Sequence, residues 1–437
     1  MLHHSYAVPQ NVSVVRKDDV ILVINPQTAN WLVLNDIELE VYFLLAEGIT
    51  IKKVIEKISK KSNCNQHASS IVKRFLAQSE AKQFNKTVGT VFADSFGMYV
   101  FLTFDCNLKC SHCFLYDKPR LGDPLEIEQW KRILIDFQLA GGEKITLSGG
   151  EPTLFDSFAD ILVFAHGIGL KVTLLTNGMI LHSELLELYS NNVDELQISL
   201  DGPEEISHEM IRGKGTYFKT YSNIKKALDK GVMVTIAMTP TFETFPFFEE
   251  HFVRFAKSLL NEYSNVNVKL TQKLLRSKMS IYSDTDMNKY YAKGNRLINN
   301  LYEDYSINAF YLDHPVNTIR RNCGYGEISV IPDGTVYLCS RICDLKPVAN
   351  LKELKMVNVI QIAREEKERA SVENIIPCQH CCLRYICSGG CRIDDIPDFC
   401  NGQLTVDCPE ERKQQIFDMM IESNNMYFNI EYKPNNE

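Results

Sequence analysis

The chain has 437 residues, a length that predicts two or three domains. Its formal net charge of −8 excludes a broadly basic surface that would coat nucleic acid. No apolar run is long enough to span a bilayer, and the N-terminus lacks the apolar core of a secretory signal. We therefore expect a cytoplasmic protein with no membrane and no nucleic-acid partner.

The N-terminal region, residues 1–88, combines strand and helix patterns. Residues 12–16, 20–25 and 30–34 have the β-branched and aromatic content of strands. Residues 36–45, 51–59 and 66–78 place apolar side chains at helical spacing, and Gly48 is expected to end the first helix. Three strands followed by three helices predict a winged-helix-like α+β domain.

The central region, residues 95–310, alternates strands and helices. The strand patterns are 98–104, 144–148, 171–176, 195–200, 232–238 and 265–270, and helical patterns lie between them. Repeated β–α units of this length indicate a parallel sheet with helical crossovers. We predict an α/β fold with a partial (β/α)6 TIM-like barrel, in which ligands bind at the carboxyl ends of the strands.

The C-terminal region, residues 315–437, has few long periodic segments and is rich in cysteine. A β-hairpin is predicted at 327–339, because Pro332, Asp333 and Gly334 separate two β-rich runs. Residues 360–368 and 411–423 have helical patterns. Ten of the 14 cysteines lie beyond residue 320, and only Cys64 stands apart from the clusters. In a reducing compartment, clustered cysteines indicate metal or redox chemistry rather than disulfides.

A three-cysteine loop follows the first strand of the central region. Cys106, Cys110 and Cys113 can wrap around one [4Fe–4S] cluster, which would need four thiolates for full protein ligation. Since no fourth cysteine is nearby, one iron must take an external ligand or remain labile. A tetrahedral zinc site is the alternative, and it would need a fourth ligand such as His112.

This loop, placed after the first strand of a β/α barrel, resembles the signature of the radical SAM superfamily. The resemblance implies that the open iron binds S-adenosylmethionine and that electron transfer releases a 5′-deoxyadenosyl radical. His112 occupies the family's usual aromatic position, where it should lie near the adenine.

Three more segments at predicted strand ends agree with this resemblance. Glu151, after the second strand, can accept a hydrogen bond from the methionine ammonium, and the glycines before it let the backbone approach a ligand closely. The guanidinium of Arg212 can bind the carboxylate of the cofactor. The implied cofactor-binding residues are His112, Gly149, Gly150, Glu151, Asn177, Ser199 and Arg212.

The tail resembles the SPASM extension of radical SAM enzymes that modify peptides, which implies two auxiliary iron–sulfur clusters. By this resemblance one set of ligands is Cys323, Cys339 and Cys391, and the other is Cys378, Cys381 and Cys387. Cys408 is the predicted fourth ligand of the second set, with Cys400 as its competitor. Cys343 could complete the first set, or that site could stay open to substrate. Cys382 is not needed in either ligand set. The alternative for the whole tail is a structural zinc ribbon.

The N-terminal domain has two interpretations. A winged helix whose second helix carries Lys52, Lys53, Lys57, Lys60 and Lys61 could bind DNA. The domain also resembles the PqqD-like RiPP recognition element, in which a leader peptide adds a strand to the sheet edge. We expect that groove at 30–34 and 66–76, with Trp31 and Phe75 as core or groove residues. Fusion to a peptide-modifying region favours the peptide interpretation.

Together these features predict a radical SAM maturase that modifies a ribosomally synthesised precursor peptide (RiPP), with a thioether as the first expected product and another crosslink as the second. We expect a flavodoxin or ferredoxin as its reductant. The alternatives are a formylglycine-type sulfatase maturase, which normally lacks the N-terminal domain, and a DNA-binding iron–sulfur redox sensor, which does not explain Glu151, Ser199 and Arg212.

Overall fold

The computed structural model describes residues 4–62, 65–91, 96–115, 117–271, 283–302, 316–396, 399 and 404–431. Cys64 and Cys400, named above, lie outside the described residues. The chain forms two compact units. The first comprises Met1–Ala93, Tyr302–Cys323 and Arg369–Glu437, and the second comprises Asp94–Leu301 and Gly324–Glu368.

The first unit begins with a three-stranded antiparallel sheet in the order β1–β2–β3. Its strands are β1 (Ser13–Lys17), β2 (Val20–Asn25) and β3 (Asn30–Leu34). The helices that follow are α1 (Asp36–Ala46), α2 (Ile51–Ser62) and α3 (Asn65–Ala81). Asn35 caps α1 by accepting a hydrogen bond from Glu38 N, while the Glu38 side chain accepts one from Asn35 N. The predicted strands and helices are therefore present, with ends shifted by at most three residues.

Both faces of this sheet are buried, because successive side chains of a strand point to opposite faces. On one face, Ile21 and Leu32 pack with α1, α2 and α3, in a core that also contains Phe75. On the other face, Leu22 and Trp31 pack with residues from the C-terminal part of the chain: Leu383, Ile386, Phe417 and Met420. Trp31 and Phe75 are thus core residues, 3% and 0% exposed.

The C-terminal part of the first unit holds short elements around its cysteines and one long helix. These elements are α12 (Arg384–Cys387) and α13 (Glu410–Glu431), together with a two-stranded parallel pair of β4 (Thr90–Val91) and β11 (Thr318–Ile319). Trp31 Nε1 donates to Met420 O at 3.3 Å. Lys82 Nζ lies 2.5 Å from Asn424 Oδ1 and 4.8 Å from the Trp31 ring centroid. The N-terminal residues therefore share a core with α13.

The second unit is built on a nine-stranded sheet in the order β10–β9–β8–β7–β6–β5–β12–β13–β14. The six central strands are parallel and run in chain order across the sheet, as predicted. They are β5 (Gly97–Thr103), β6 (Lys144–Gly149), β7 (Lys171–Thr176), β8 (Glu195–Ser199), β9 (Val234–Met238) and β10 (Val266–Leu270). Their carboxyl ends meet along one edge of the sheet, where we expected the ligand site.

Helices connect these strands and cover the sheet. They are α4 (Ile127–Leu139), α5 (Phe158–Gly167), α6 (Ser183–Asn192), α7 (Glu205–Arg212), α8 (Tyr217–Asp229), α9 (Phe245–Glu262), α10 (Asp284–Tyr302) and α11 (Met356–Arg369). In the part of the chain that the structure describes, no helix is long and apolar enough to cross a membrane.

The predicted hairpin is present and extends the parallel sheet. It consists of β12 (Ile328–Val330) and β13 (Thr335–Tyr337), and β14 (Ala349–Asn350) pairs with β13. Asp333 accepts hydrogen bonds from Thr335 N at 3.0 Å and Gly122 N at 2.8 Å, which shapes the turn. Because β12 pairs in parallel with β5, the hairpin lies beside the strand that leads into the three-cysteine loop.

Candidate functional site

The three-cysteine loop begins just after β5, at the carboxyl edge of the parallel sheet. Cys106 is exposed, and Cys110 and Cys113 are partly buried; all three are free thiols. Burial raises the pKa of the Cys110 thiol, and the positive charge of Arg212 acts in the opposite direction. Among the described residues, no group of three His, Cys, Asp or Glu side chains converges to hold a single metal ion.

The two glycines at the end of β6 allow this loop to approach the neighbouring strand end. Gly150 N donates to Thr103 O at 2.8 Å, and Glu151 N donates to Asp105 O at 2.7 Å. A Cβ added at Gly150 would lie 2.2 Å from Asp105 O, and one at Gly149, where φ is +147°, would lie 2.3 Å from Thr103 O. Contact between backbones therefore requires both glycines, a reason that the sequence analysis did not consider.

Glu151 connects the ends of β6 and β7. Its carboxylate is 1% exposed and accepts hydrogen bonds from Thr153 Oγ1, Thr176 Oγ1 and Asn177 N, each at 2.8 Å. Burial raises the pKa of Glu151, although the hydrogen bond from Asn177 N opposes this effect. Protein donors thus hold the carboxylate in place at the predicted ligand-binding edge.

Asn177 connects the end of β7 to the cysteine loop. Its Nδ2 donates to Asn107 Oδ1 at 2.7 Å and lies 4.0 Å from Cys106 Sγ. Its Oδ1 accepts a hydrogen bond from Met179 N at 2.9 Å. The structure therefore brings this predicted site residue beside the first cysteine.

Asp201, two residues after β8, organises the other side of the loop. It is 1% exposed, and its Oδ2 lies 2.5 Å from Arg212 Nε and 2.9 Å from His112 Nε2. Its Oδ1 accepts a hydrogen bond from Thr239 N at 2.9 Å. Burial alone raises the pKa of Asp201, but Arg212 and His112 more than offset it and hold that pKa well below its usual range. Ser111 N also donates to the carbonyl before Arg212, Ile211 O, at 3.0 Å.

Sequence reasoning did not include Asp201 among the site residues. The signal was its position after a strand end, in the same Ser-Leu-Asp-Gly stretch as Ser199. Ser199 ends β8 and is partly buried. His112 presents a buried Nδ1 that has no hydrogen-bond partner among the described residues. Since Nε2 faces Asp201, Nδ1 is the ring nitrogen whose hydrogen-bonding capacity the described residues leave unused.

In the first unit, the tail cysteines form two groups. One group consists of Cys378, Cys381, Cys387 and Cys408. Burial is the main cause that raises the pKa of Cys378 to about 12, and the charges of the other three thiols add to it. Cys323 and Cys391 form the other group and are linked by a thiol hydrogen bond. Cys382 shares a thiol hydrogen bond with Cys381, which lowers the pKa of Cys382 to about 7.

Two further cysteines belong to the second unit. Cys343 packs in the cluster of Phe101, Ile342 and Cys113, beside the three-cysteine loop. Burial raises the pKa of Cys343, and a hydrogen bond from Asp117 N opposes this. Cys339 is partly buried. Membership of Cys339 or Cys343 in an auxiliary set remains a prediction.

Residues 100–256 match the model of the Radical SAM superfamily. The matched segment contains the site described above from Cys106 to Arg212. The chain is thus similar, over residues 100–256, to proteins of that superfamily.

Two curated relatives are from Bacillus subtilis (strain 168). The sporulation killing factor maturation protein SkfB is 35% identical over 141 residues, 32% of this chain and 34% of that protein. The antilisterial bacteriocin subtilosin biosynthesis protein AlbA is 32% identical over 160 residues, 35% of this chain and 36% of that protein. The chain therefore matches about a third of the length of these relatives.

Two solved structures share the fold at low sequence identity. Streptococcus suis SuiB aligns over 89% of this chain and 96% of its own, with a TM-score of 0.50 and 16% identity. Native anSMEcpe with bound AdoMet aligns over 76% of this chain and 99% of its own, with a TM-score of 0.60 and 18% identity. These likenesses concern the fold alone.

Proposed function

We propose that this protein is a radical SAM maturase that modifies a ribosomally synthesised precursor peptide. The observation that carries the proposal is one loop with three free thiols, held at the carboxyl edge of a parallel sheet by Glu151, Asn177 and Asp201. Thiolates are the usual ligands of iron–sulfur clusters. The curated relatives SkfB and AlbA are named for the maturation of a sporulation killing factor and the biosynthesis of the antilisterial bacteriocin subtilosin, which supports a peptide substrate.

The donor set fits a [4Fe–4S] cluster with S-adenosylmethionine at Cys106, Cys110 and Cys113. When bound, this pair would supply a 5′-deoxyadenosyl radical that takes a hydrogen atom from the substrate. Glu151 would accept hydrogen bonds from the methionine ammonium, and Arg212 would hold the carboxylate side. His112 Nδ1, which lacks a partner among the described residues, would face the adenine.

The tail would hold two auxiliary clusters, as in SPASM enzymes. Cys378, Cys381, Cys387 and Cys408 would form one set, supported by the mutual effect of these thiols on their pKa values. Cys323, Cys339 and Cys391 would form the other, with Cys343 or the substrate as its fourth ligand. We propose a thioether as the product, a flavodoxin or ferredoxin as the reductant, and a cytoplasmic location.

The experiment that tests this function is anaerobic reconstitution with iron and sulfide, followed by incubation with S-adenosylmethionine, dithionite and peptides encoded beside the gene. We expect 5′-deoxyadenosine in chromatography and a mass change in one peptide of that set. A loss of about two hydrogen masses indicates a crosslink such as a thioether. Absence of 5′-deoxyadenosine would refute the radical SAM activity, and its formation with every peptide unchanged would refute the substrate class.

For the leader peptide, we propose docking on the outer edge of β3, as in PqqD-like recognition elements. SuiB has been solved with its precursor peptide SuiA bound. In this chain the Gln78 side chain already covers that edge. Val33 N donates to Gln78 Oε1 at 3.1 Å, and Gln78 Nε2 donates to Val33 O at 3.2 Å. The amide thus makes the two hydrogen bonds that an added strand would make, so a docking peptide must displace it.

Replacing Gln78 by alanine is therefore expected to tighten binding of the leader peptide roughly thirtyfold, since each of the two displaced hydrogen bonds contributes about 1 kcal/mol. The measurement is fluorescence anisotropy of a labelled leader with the full chain. Gln27→Ala, the same change at an exposed position outside 30–34 and 66–76, is the matched control and should leave the affinity unchanged. Equal affinities for Gln78→Ala and the parent would exclude the β3 edge as the docking site.

A further inference from the structure

Arg392 carries a positive charge that is completely buried in the first unit. Its exposed fraction is 0%, and its guanidinium donates four hydrogen bonds. Nε donates to Ala370 O at 2.8 Å, Nη1 donates to Ser388 O at 2.7 Å and Gly390 O at 2.6 Å, and Nη2 donates to Arg321 O at 3.4 Å. All four acceptors are main-chain carbonyls, which satisfy the donors but carry no net charge. A buried charge normally needs an opposite charge beside it.

The guanidinium contacts the loop that joins the two cysteine groups of the tail, because its Nη1 donates to two carbonyls between Cys387 and Cys391. Burial lowers the pKa of Arg392, and the thiolate forms of four cysteines oppose this effect: Cys323, Cys378, Cys391 and Cys387. Arg392 also follows Cys391 directly in the chain. The guanidinium is therefore held beside a loop whose two ends belong to the two predicted ligand sets, where thiolate ligands would supply compensating negative charge.

Arg392 also shapes the loop that joins these two sets. Between Cys387 and Cys391, three consecutive residues have a left-handed backbone: Ser388 at φ 55°, Gly389 at φ 73° and Gly390 at φ 78°. The carbonyls of the first and third accept hydrogen bonds from Arg392 Nη1. A Cβ added at Gly389 would lie 3.3 Å from the same nitrogen. The loop is thus folded around the guanidinium.

A second arginine near the cysteines differs in having a carboxylate partner. Arg412 Nη2 lies 3.3 Å from Asp395 Oδ2, and that oxygen also accepts a hydrogen bond from Cys391 N at 2.7 Å. The charge of Arg412 is therefore compensated within the protein. The hydrogen bonds of Arg392, among the described residues, all go to main-chain carbonyls.

We propose that Arg392 is a positioning residue for the auxiliary clusters, with a buried charge that compensates their thiolate ligands and favours their reduced state. The inference rests on the proposed auxiliary clusters. Reduction adds one negative charge to a cluster, and a fixed positive charge in a weakly polar interior stabilises that state.

The test uses the full chain with Cys106, Cys110 and Cys113 all replaced by alanine, so that only auxiliary iron is observed. Arg392→Gln and Arg392→Lys are compared with this parent by iron and sulfide content and by a redox titration followed with electron paramagnetic resonance. We expect Arg392→Gln to lower the ratio of reduced to oxidised cluster at least tenfold at a fixed potential, a midpoint about 59 mV more negative. Arg392→Lys keeps the charge and should keep the parent midpoint.

Arg16→Gln is the control, because Arg16 lies in the same unit with its side chain 62% exposed, and it should match the parent. Parent iron with an unchanged midpoint in Arg392→Gln would overturn the role of Arg392 and leave the auxiliary clusters in place. If Arg392→Gln binds no iron, Arg392→Lys decides: parent iron and midpoint support the charge, and loss of iron there overturns it. A parent without iron overturns the auxiliary clusters themselves.

Discussion

Replacing Asp201 by asparagine is expected to lower the free energy of unfolding by about 3–5 kcal/mol, because it leaves the buried Arg212 charge without its carboxylate. The amide nitrogen would also face two donors, Arg212 Nε and His112 Nε2, which now lie 2.5 Å and 2.9 Å from Asp201 Oδ2. Since His112 lies between Cys110 and Cys113, the loop should shift, and a displacement near 1 Å can slow a reaction about a hundredfold.

Two measurements separate these effects. Urea unfolding of the apo protein under anaerobic conditions reports the stability, and 5′-deoxyadenosine formation after reconstitution reports the site. Asp194→Asn is the matched control. Asp194 lies at the opposite end of β8 from Asp201, and it accepts a hydrogen bond from Val172 N at 2.7 Å. This control should lower the free energy of unfolding by about 1–3 kcal/mol and leave S-adenosylmethionine cleavage at the parent rate. Equal losses of cleavage in the two variants would contradict a specific role for Asp201.

The second large effect is expected from replacing Cys106, Cys110 and Cys113 together by alanine. The three thiols belong to one loop, and we propose that they hold the cluster that cleaves S-adenosylmethionine. Formation of 5′-deoxyadenosine should fall to the background of a reaction without protein. The iron content should fall by about four per chain, the iron of one [4Fe–4S] cluster. The remaining iron would be bound by the tail.

Cys382→Ala is the control for this variant. Cys382 lies in the tail and shares a thiol hydrogen bond with Cys381, but no ligand set requires it. Its replacement should keep both the iron content and the yield of 5′-deoxyadenosine. If the triple variant still forms 5′-deoxyadenosine, the three-cysteine loop is not the site of cleavage.

The elements with a clear period were predicted closely from the sequence. The strands β5 to β10 and the three N-terminal strands appear within about two residues of their predicted ends, because their apolar runs are bounded by turn residues. Two-residue strands such as β4 and β14 were missed, since two residues carry no period. Helix α11 begins at Met356, four residues before the predicted start at 360.

Some residues of the site were likewise predicted from the sequence, and others were recognised only in the structure. The cysteine spacing and the residues after each strand end were visible in the sequence, and the structure places Glu151, Asn177 and Arg212 beside the loop. Asp201 was missed as a site residue because its partners, His112, Arg212 and Thr239, are far apart in the chain. No local pattern marks a carboxylate whose partners come from three other segments.

The sequence by itself therefore determined the three-cysteine loop, the order of the parallel strands and the edge at which they place their polar residues, since these follow from local spacing and period. Only the tertiary structure decided which charges are buried together. It paired Asp201 with Arg212, surrounded Arg392 with carbonyls, and covered the second face of the N-terminal sheet with α13. The physical reason is that burial and pairing depend on segments brought together by folding, and the cost of burying a charge is set by those neighbours.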